Sequence, residues 1–196
     1  MKIAIDIDDT LSEVDRLKYT EPYLRENGLK FNLVNPDAHV LKELYDWSEE
    51  DVFRYVKNGG LRPFTEAPVR KGAKETVRKW KEAGHGIIIL TARSTGWFGD
   101  AALVSRKWLD GNGIVYDEIV ADVWEKGEYC LKNGIGILID DNFEICKKAQ
   151  ELGVKSVMLV GRHNLAHAKE ITYAGPSWAH IASAVEFILN PPRPRD

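Results

Sequence analysis

The chain has 196 residues, room for one domain of ordinary size or for one domain carrying an insert. Hydrophobic residues at 44% and charged residues at 29% are ordinary globular values and argue against disorder, collagen-like repeats and a coiled coil. Lys plus Arg total 27 against 30 Asp plus Glu, a net charge of -3 without a long basic run, so the chain lacks the clustered cations that grip a nucleic-acid polymer. Two cysteines cannot staple a small secreted fold and read as free thiols in a reducing compartment. There is no signal-peptide h-region. Nor does any stretch approach the ~20 apolar residues of a membrane span. The expectation is a cytoplasmic chain that does not engage a membrane.

In chain order, Ile3-Ala4-Ile5 is the first strand. A segment far longer than a βα loop then intervenes before the next core helix, which begins near Lys71. It is rich in aromatic residues (Tyr19, Tyr23, Phe31, Tyr45, Trp47, Phe53, Tyr55) and reads as helical over 13–26, 37–46 and 49–56. Pro36 precedes the second of these helices, and Asn58-Gly59-Gly60 closes the third. Ala73, Val77 and Trp80 then share a helical face, followed by a strand over 86–90. Ala101, Val104 and Trp108 form the next helical face, followed by strands over 117–121, 136–139 and 154–160. Ile181, Val185 and Ile188 line a last helix. Nearly continuous apolar strands suit a sheet covered on both faces. The reading is an α/β fold: a doubly wound, mainly parallel sheet formed by 1–13 and 70–190, a small helical cap at 14–69 inserted after the first strand, and a flexible tail at 191–196.

The chemistry is written at strand ends. The first strand runs into Asp6-Ile7-Asp8-Asp9-Thr10, and strand alternation sends Asp6 and Asp8 the same way. In open α/β sheets the carboxyl end of a strand faces the ligand crevice. A pair of hard oxygen donors there suits Mg²⁺, the alternative being an Asp-rich turn that only caps a helix. The second strand ends in Thr91-Ala92-Arg93, a hydroxyl beside backbone amides that can hold a phosphate oxygen. The fourth ends in Asp140-Asp141, a second acidic pair that would repel the first unless a cation neutralised both. Lys126 supplies one such cation. Lys132 lies almost two helical turns further on and is read as a surface residue. His163 and His167 have helical spacing but lack the intervening Glu and third ligand of a zinc site.

Together these residues resemble the four motifs of the haloacid dehalogenase-like (HAD) superfamily. Asp6, Asp8 and Thr10 match the first motif, Thr91 the second, Lys126 the third, and Asp140 with Asp141 the fourth. Within the superfamily, Thr91-Ala92-Arg93, the Lys126 helix and Asp140-Asp141-Asn142 look most like bacterial 5'-nucleotidase or deoxyribonucleotidase-type members. The resemblance implies a Mg²⁺-dependent phosphomonoester hydrolase. Asp6 would be the nucleophile that forms an aspartyl-phosphate, and Asp8 the general acid and base. Mg²⁺ would be held by the Asp6 carboxylate, the Asp8 backbone carbonyl and Asp140. Thr91, the Ala92 amide and Lys126 would bind the phosphate, with Thr10 and Asp141 in support.

The expected partner is a small phosphorylated substrate, a nucleoside monophosphate or, as the alternative, another small ester such as a phosphosugar. Tyr45, Trp47 and Arg93 are candidates for its non-phosphate part, although the insert also needs aromatics for a core of its own. The loops at 94–100 and 161–164 are further candidates for the rim of the substrate site. A phosphorylation-dependent signalling module shares an acidic cluster, Mg²⁺, Thr and Lys, but has no use for Asp8 or for a cap.

Overall fold

The computed structural model describes residues 1–27, 32–36, 38 and 40–192. Among these, the sheet has six strands, all parallel, in the order β3-β2-β1-β4-β5-β6. They are β1 (Lys2–Ile5), β2 (Gly86–Leu90), β3 (Glu118–Val120), β4 (Ile137–Asp140), β5 (Lys155–Leu159) and β6 (Tyr173–Gly175). The chain winds outward from β1 to β3, returns to the other side of β1 for β4, and winds outward again. The switch point therefore lies between β1 and β4, where open α/β sheets place their ligands.

Strand alternation divides the core into two layers. Ile3 and Ile5 of β1, Ile87 and Ile89 of β2, and Ile137 and Ile139 of β4 point to one face. There they meet Val77 and Trp80 of α5 (Ala73–Glu82), Trp108 and Leu109 of α7 (Ala101–Asn112), and Trp178, Ile181 and Val185 of α10 (Trp178–Leu189). Ala4, Ile88, Leu90 and Leu138 point to the other face, against Cys130 of α8 (Lys126–Lys132) and Ala149 of α9 (Phe143–Glu151). Burial on both faces explains the unbroken aliphatic runs. Cys130 and Cys146 are buried free thiols, and burial pushes the Cys130 thiol up to about 12.

The chain leaves the core beside the point where it returns. Ser12 bridges Val69, Glu13 N–H donates to the Pro68 carbonyl at 2.9 Å, and Arg70 N–H donates to the Leu11 carbonyl at 2.8 Å. Between these points lie α1 (Arg16–Glu26), α2 (Leu41–Tyr45), α3 (Glu49–Tyr55) and α4 (Arg62–Thr65). The first three share a small core of Leu24, Leu44, Tyr45, Val52 and Tyr55, with Trp47 packed on it. The Thr20 hydroxyl satisfies the Tyr55 hydroxyl at 2.9 Å inside that core. Asp15 caps α1 through Lys18 N–H, and Ser48 and Asp51 form a reciprocal capping box on α3.

The structure adjusts several expectations. The helix expected over 37–46 is Leu41–Tyr45, with residues 37 and 39 outside the described residues. Phe31 and the tail from residue 193 also lie outside them. Asn58-Gly59-Gly60 does not simply close α3: a wide π-type turn over Val56–Gly60, with Gly59 at φ 111°, leads into the unforeseen α4. α6 (Thr95–Phe98), a 3-10 helix over Arg162–Glu170 and the edge strand β6 were also unforeseen. Each is too short or too polar to show a period. No helix among the described residues is long and apolar enough to cross a membrane.

Candidate active site

β1 delivers its first acid directly. Asp6 directly follows β1 in extended conformation, its N–H donating to the Ile139 carbonyl at 2.9 Å, so the β1–β4 ladder fixes where it sits. Alternation does not carry on to Asp8. The strand stops, and Ile7–Leu11 form a tight turn in which Asp8 is extended and Asp9 is left-handed at φ 58°. Asp tolerates that conformation better than most residues. The turn is locked from two sides. The Thr10 hydroxyl donates to Asp141 Oδ1 at 3.1 Å, and Trp178 Nε1 donates to the Thr10 carbonyl at 2.9 Å.

The opposing strand end supplies the partners. Lys126 begins α8 and is only 2% exposed, with Nζ 2.6 Å from both Asp6 Oδ1 and Asp140 Oδ2. Gly127 permits this reach, because a Cβ there would lie 2.9 Å from the Ala149 Cα and push α8 off α9. Asn142 caps α9 through Ile145 N–H, and its own N–H donates to Asp140 Oδ1 at 2.9 Å, aiming that carboxylate back at the site. Asn164 Nδ2 holds the Asp141 carbonyl, and His163 Nε2 lies 2.9 Å from Asp141 Oδ2. Lys132 is exposed and takes no part.

The electrostatics are those of a crowded, buried acidic site. Burial raises Asp6 well above the ordinary carboxylate value, and Asp140, Asp141 and Asp8 push the same way while Lys126 opposes. Asp140 is raised by burial and by Asp141. Burial pulls the Lys126 ammonium down, but Asp140 and Asp6 outweigh it and hold it up. The Lys126 ammonium pairs with Asp6 and Asp140, and Asp141, beside His163, completes a set of three buried carboxylates whose oxygens lie within 4.8 Å of one another. A set of hard oxygen donors with excess negative charge fits a divalent cation such as Mg²⁺. The clustered carboxylates are those of Asp6, Asp140 and Asp141; the sequence reading takes the carboxylates of Asp6 and Asp140 with the Asp8 backbone carbonyl, and Asp141 in support.

The Asp8 carboxylate is held elsewhere, and by a residue the sequence reading had placed on the substrate side. Arg93 Nε and NH2 donate to its two oxygens at 2.9 and 2.6 Å, and NH2 also donates to the Phe64 carbonyl of α4 at 3.0 Å. Arg93 is buried beneath the Phe98 ring and does not line the cavities flanking the site. Tyr45 and Trp47 are likewise absent from those walls. They stack on each other at 4.9 Å within the insert's own core, because a helical insert this small has few other residues to bury. Thr91 is buried at the end of β2, its hydroxyl accepting the Arg93 N–H at 3.2 Å.

Two cavities flank the end of β1. One, of about 390 Å³, lies towards β2 and β3 and is walled by Leu61, Phe64, Ala92, Trp97, Phe98 and Trp124. The other, of about 420 Å³, lies towards β5 and is walled by Asp9, Arg16, Lys18, Arg70, Arg162 and His163 among others. Arg16 borders both. The rim loops at 94–100 and 161–164 thus contribute to the two walls. Phe64, Trp124, Arg16 and Arg70 were not singled out from sequence, because no local motif distinguishes them from the other charged and aromatic residues.

No protein-family model and no curated protein matches the chain. Solved structures do match its fold. A HAD family hydrolase from Deinococcus radiodurans with bound phosphate and sodium aligns over 98% of both chains at 16% identity, with a TM-score of 0.67. A protein from Haemophilus somnus, assigned by prediction as a phosphoglycolate phosphatase, aligns over 93% of this chain and 96% of its own at 20% identity and TM-score 0.66. A magnesium-bound structure from Bacillus subtilis, assigned as a HAD-hydrolase, aligns over 94% and 98% at 13% identity and TM-score 0.64. The fold is therefore the HAD-like α/β fold, shared by hydrolases and phosphatases.

Proposed function

We propose that this protein is a Mg²⁺-dependent phosphomonoester hydrolase that works through an aspartyl-phosphate on Asp6, with a nucleoside monophosphate as substrate. The observation that carries the reading is the convergence of Lys126 on Asp6 and Asp140, residues far apart in sequence, at the switch point of a HAD-like sheet. A nucleophile, a phosphate-binding cation and a cation-hungry acidic cluster meet there.

The residues divide the chemistry as follows. The Asp6 carboxylate attacks phosphorus in line as the ester P–O bond breaks. Asp8, oriented by Arg93, gives a proton to the leaving oxygen and later takes one from the water that cleaves the acyl-phosphate. Lys126, the Thr91 hydroxyl and the Ala92 amide hold the non-bridging oxygens. A divalent cation held by Asp6, Asp140 and Asp141 would screen the repulsion between the nucleophile and the phosphate dianion. Thr10 supports Asp141. The helices at 14–69 act as a cap over the site, and 1–13 with 70–190 act as the catalytic core. Buried free thiols at Cys130 and Cys146 support a reducing, cytoplasmic setting for the enzyme.

The aromatic cavity between Ala92 and Trp124 favours a nucleoside over a phosphosugar, since a flat base gains from stacking there and a polyol does not. The test is phosphate release from a panel of nucleotides, phosphosugars and small acyclic phosphoesters, with Mg²⁺ and with chelator. Mg²⁺-dependent release that is fastest with nucleotides is expected. A preference for phosphosugars would move the assignment to the alternative, and absence of release from every ester would refute the hydrolase reading.

A further inference from the structure

The aromatic cavity is apolar over most of its wall, yet its insert side carries an ion pair. Lys42 of α2 and Glu49 of α3 both border it, with Lys42 Nζ 2.6 Å from Glu49 Oε1. The corner between the two helices holds them there. Asp46 ends α2 in the left-handed conformation at φ 53°, and Trp47 N–H donates to the Lys42 carbonyl at 3.1 Å. The Ser48–Asp51 capping box then pins the first turn of α3, where Glu49 lies. Both side chains are more than half exposed, so the pair stands where the cavity meets solvent. Arg16 and Ser94 are also polar neighbours of this cavity, but Arg16 is engaged by Asp9 and lies over the Phe64 ring. An ammonium has three N–H donors, of which Glu49 takes one, and a carboxylate has a second oxygen beyond the one Lys42 holds. The pair can therefore take a ligand without coming apart.

A base stacked among Phe64, Trp97, Phe98 and Trp124 must turn its hydrogen-bonding edge towards something. An amino group left against Val52, Val56 or Leu61 would lose its water with nothing in return. A carboxylate beside an ammonium offers acceptors next to donors. Among the common bases, guanine alone presents a carboxylate with two adjacent N–H groups, at N1 and N2, and it carries the O6 acceptor alongside. We propose that the Lys42–Glu49 pair reads the edge of the base, so that the preferred substrate is a guanosine monophosphate. Glu49 accepts the N1 and N2 hydrogens, and Lys42 donates to O6. A cavity of about 390 Å³ has room for a purine. This inference rests on the nucleotidase reading for the placement of a base in the cavity, and its test separates the two.

Calorimetry measures binding of guanosine, inosine and adenosine 5'-monophosphates to the Asp6→Asn protein in Mg²⁺, alongside wild-type turnover of all three. Inosine monophosphate differs from the guanosine form only in lacking the 2-amino group. The guanosine form is expected to bind about tenfold tighter than the inosine form, the effect of one charge-assisted hydrogen bond. Adding Glu49→Gln should bring that ratio down to about two or less, because an amide accepts through its oxygen alone. A general loosening of the exposed α2–α3 corner would weaken both ligands alike and leave the ratio unmoved. Equal affinities, no measurable binding, or an advantage that survives Glu49→Gln would overturn the base reading. Turnover of the monophosphates together with equal affinities would leave the nucleotidase reading standing without it. Preferential binding of the guanosine form, lost in Glu49→Gln but without turnover of any ester, would do the reverse.

Discussion

Arg93 grips Asp8 by both carboxylate oxygens and, with the same guanidinium, holds the Phe64 carbonyl of the insert. The Arg93 side chain is 1% exposed and the Asp8 side chain 19%, so the fork is anchored from the buried side while the carboxylate keeps an edge towards solvent. The residue proposed to move protons is therefore oriented by a contact that also ties the insert to the core.

Replacing the fork by a point charge tests this role. Arg93→Lys keeps the charge but cannot hold both oxygens and the carbonyl at once. We expect kcat to fall by about 10²-fold while KM changes little, the signature of misplaced chemistry rather than lost binding. Steady-state kinetics on a good nucleotide substrate measures it, and an unchanged kcat would remove Arg93 from the mechanism.

Metal and pH should act on stability together. The folded-state values of Asp6 and Asp140 lie above the unfolded value near 3.8, so the folded protein holds these protons more tightly. Their contribution is most favourable below that value and is lost as pH climbs towards the raised folded values. Lys126 stays protonated throughout this range and does not alter the slope. In chelator, Tm should therefore rise as pH is lowered from neutral into the mildly acidic range. Mg²⁺ should raise Tm more at neutral pH than at pH 5, since binding must displace those protons. A Mg²⁺ shift that is the same at both would contradict the buried acidic cluster.

Asp6→Asn removes a charge that burial makes costly, while leaving Asp140 paired with Lys126. The variant should lose turnover yet match or exceed the wild-type Tm in chelator, an exchange of stability for activity at a functional site. A large loss of Tm would mean that Asp6 serves the fold.

The aromatic cavity has its own test in Trp124, which is 64% exposed and so carries little of the fold. Trp124→Ala should raise KM for nucleotides roughly fivefold or more, consistent with loss of one stacking partner, and leave glycerol phosphate hydrolysis nearly unaltered. Equal effects on both substrates would count against a base in this cavity.

The sheet was legible because its strands are aliphatic runs between amphipathic helices, a pattern that burial on both faces enforces along the chain. β6 was not, since Tyr173–Gly175 is a three-residue edge strand with no apolar run to betray it. The acids at strand ends were legible for the same reason: Asp6 and Asp140 each interrupt an apolar run at the rim. Arg93 was visible as a residue but not as a partner of Asp8, because that pairing depends on a turn breaking strand alternation after Asp6. Tyr45 and Trp47 have the composition of a binding face, yet their stacking inside the insert is decided by how α2 and α3 pack. Arg16 and Arg70 converge on Asp9 only once the insert leaves and re-enters the core side by side.

The most direct measurement of the central claim is the mass of the Asp8→Asn protein, acid-quenched after mixing with p-nitrophenyl phosphate and Mg²⁺. Its good leaving group needs no proton, whereas breakdown of the intermediate does need the missing base. The account predicts a burst of nitrophenolate and one phosphoryl group on the peptide bearing Asp6. Wild-type turnover with no adduct in the variant, or with the adduct on another residue, would contradict it.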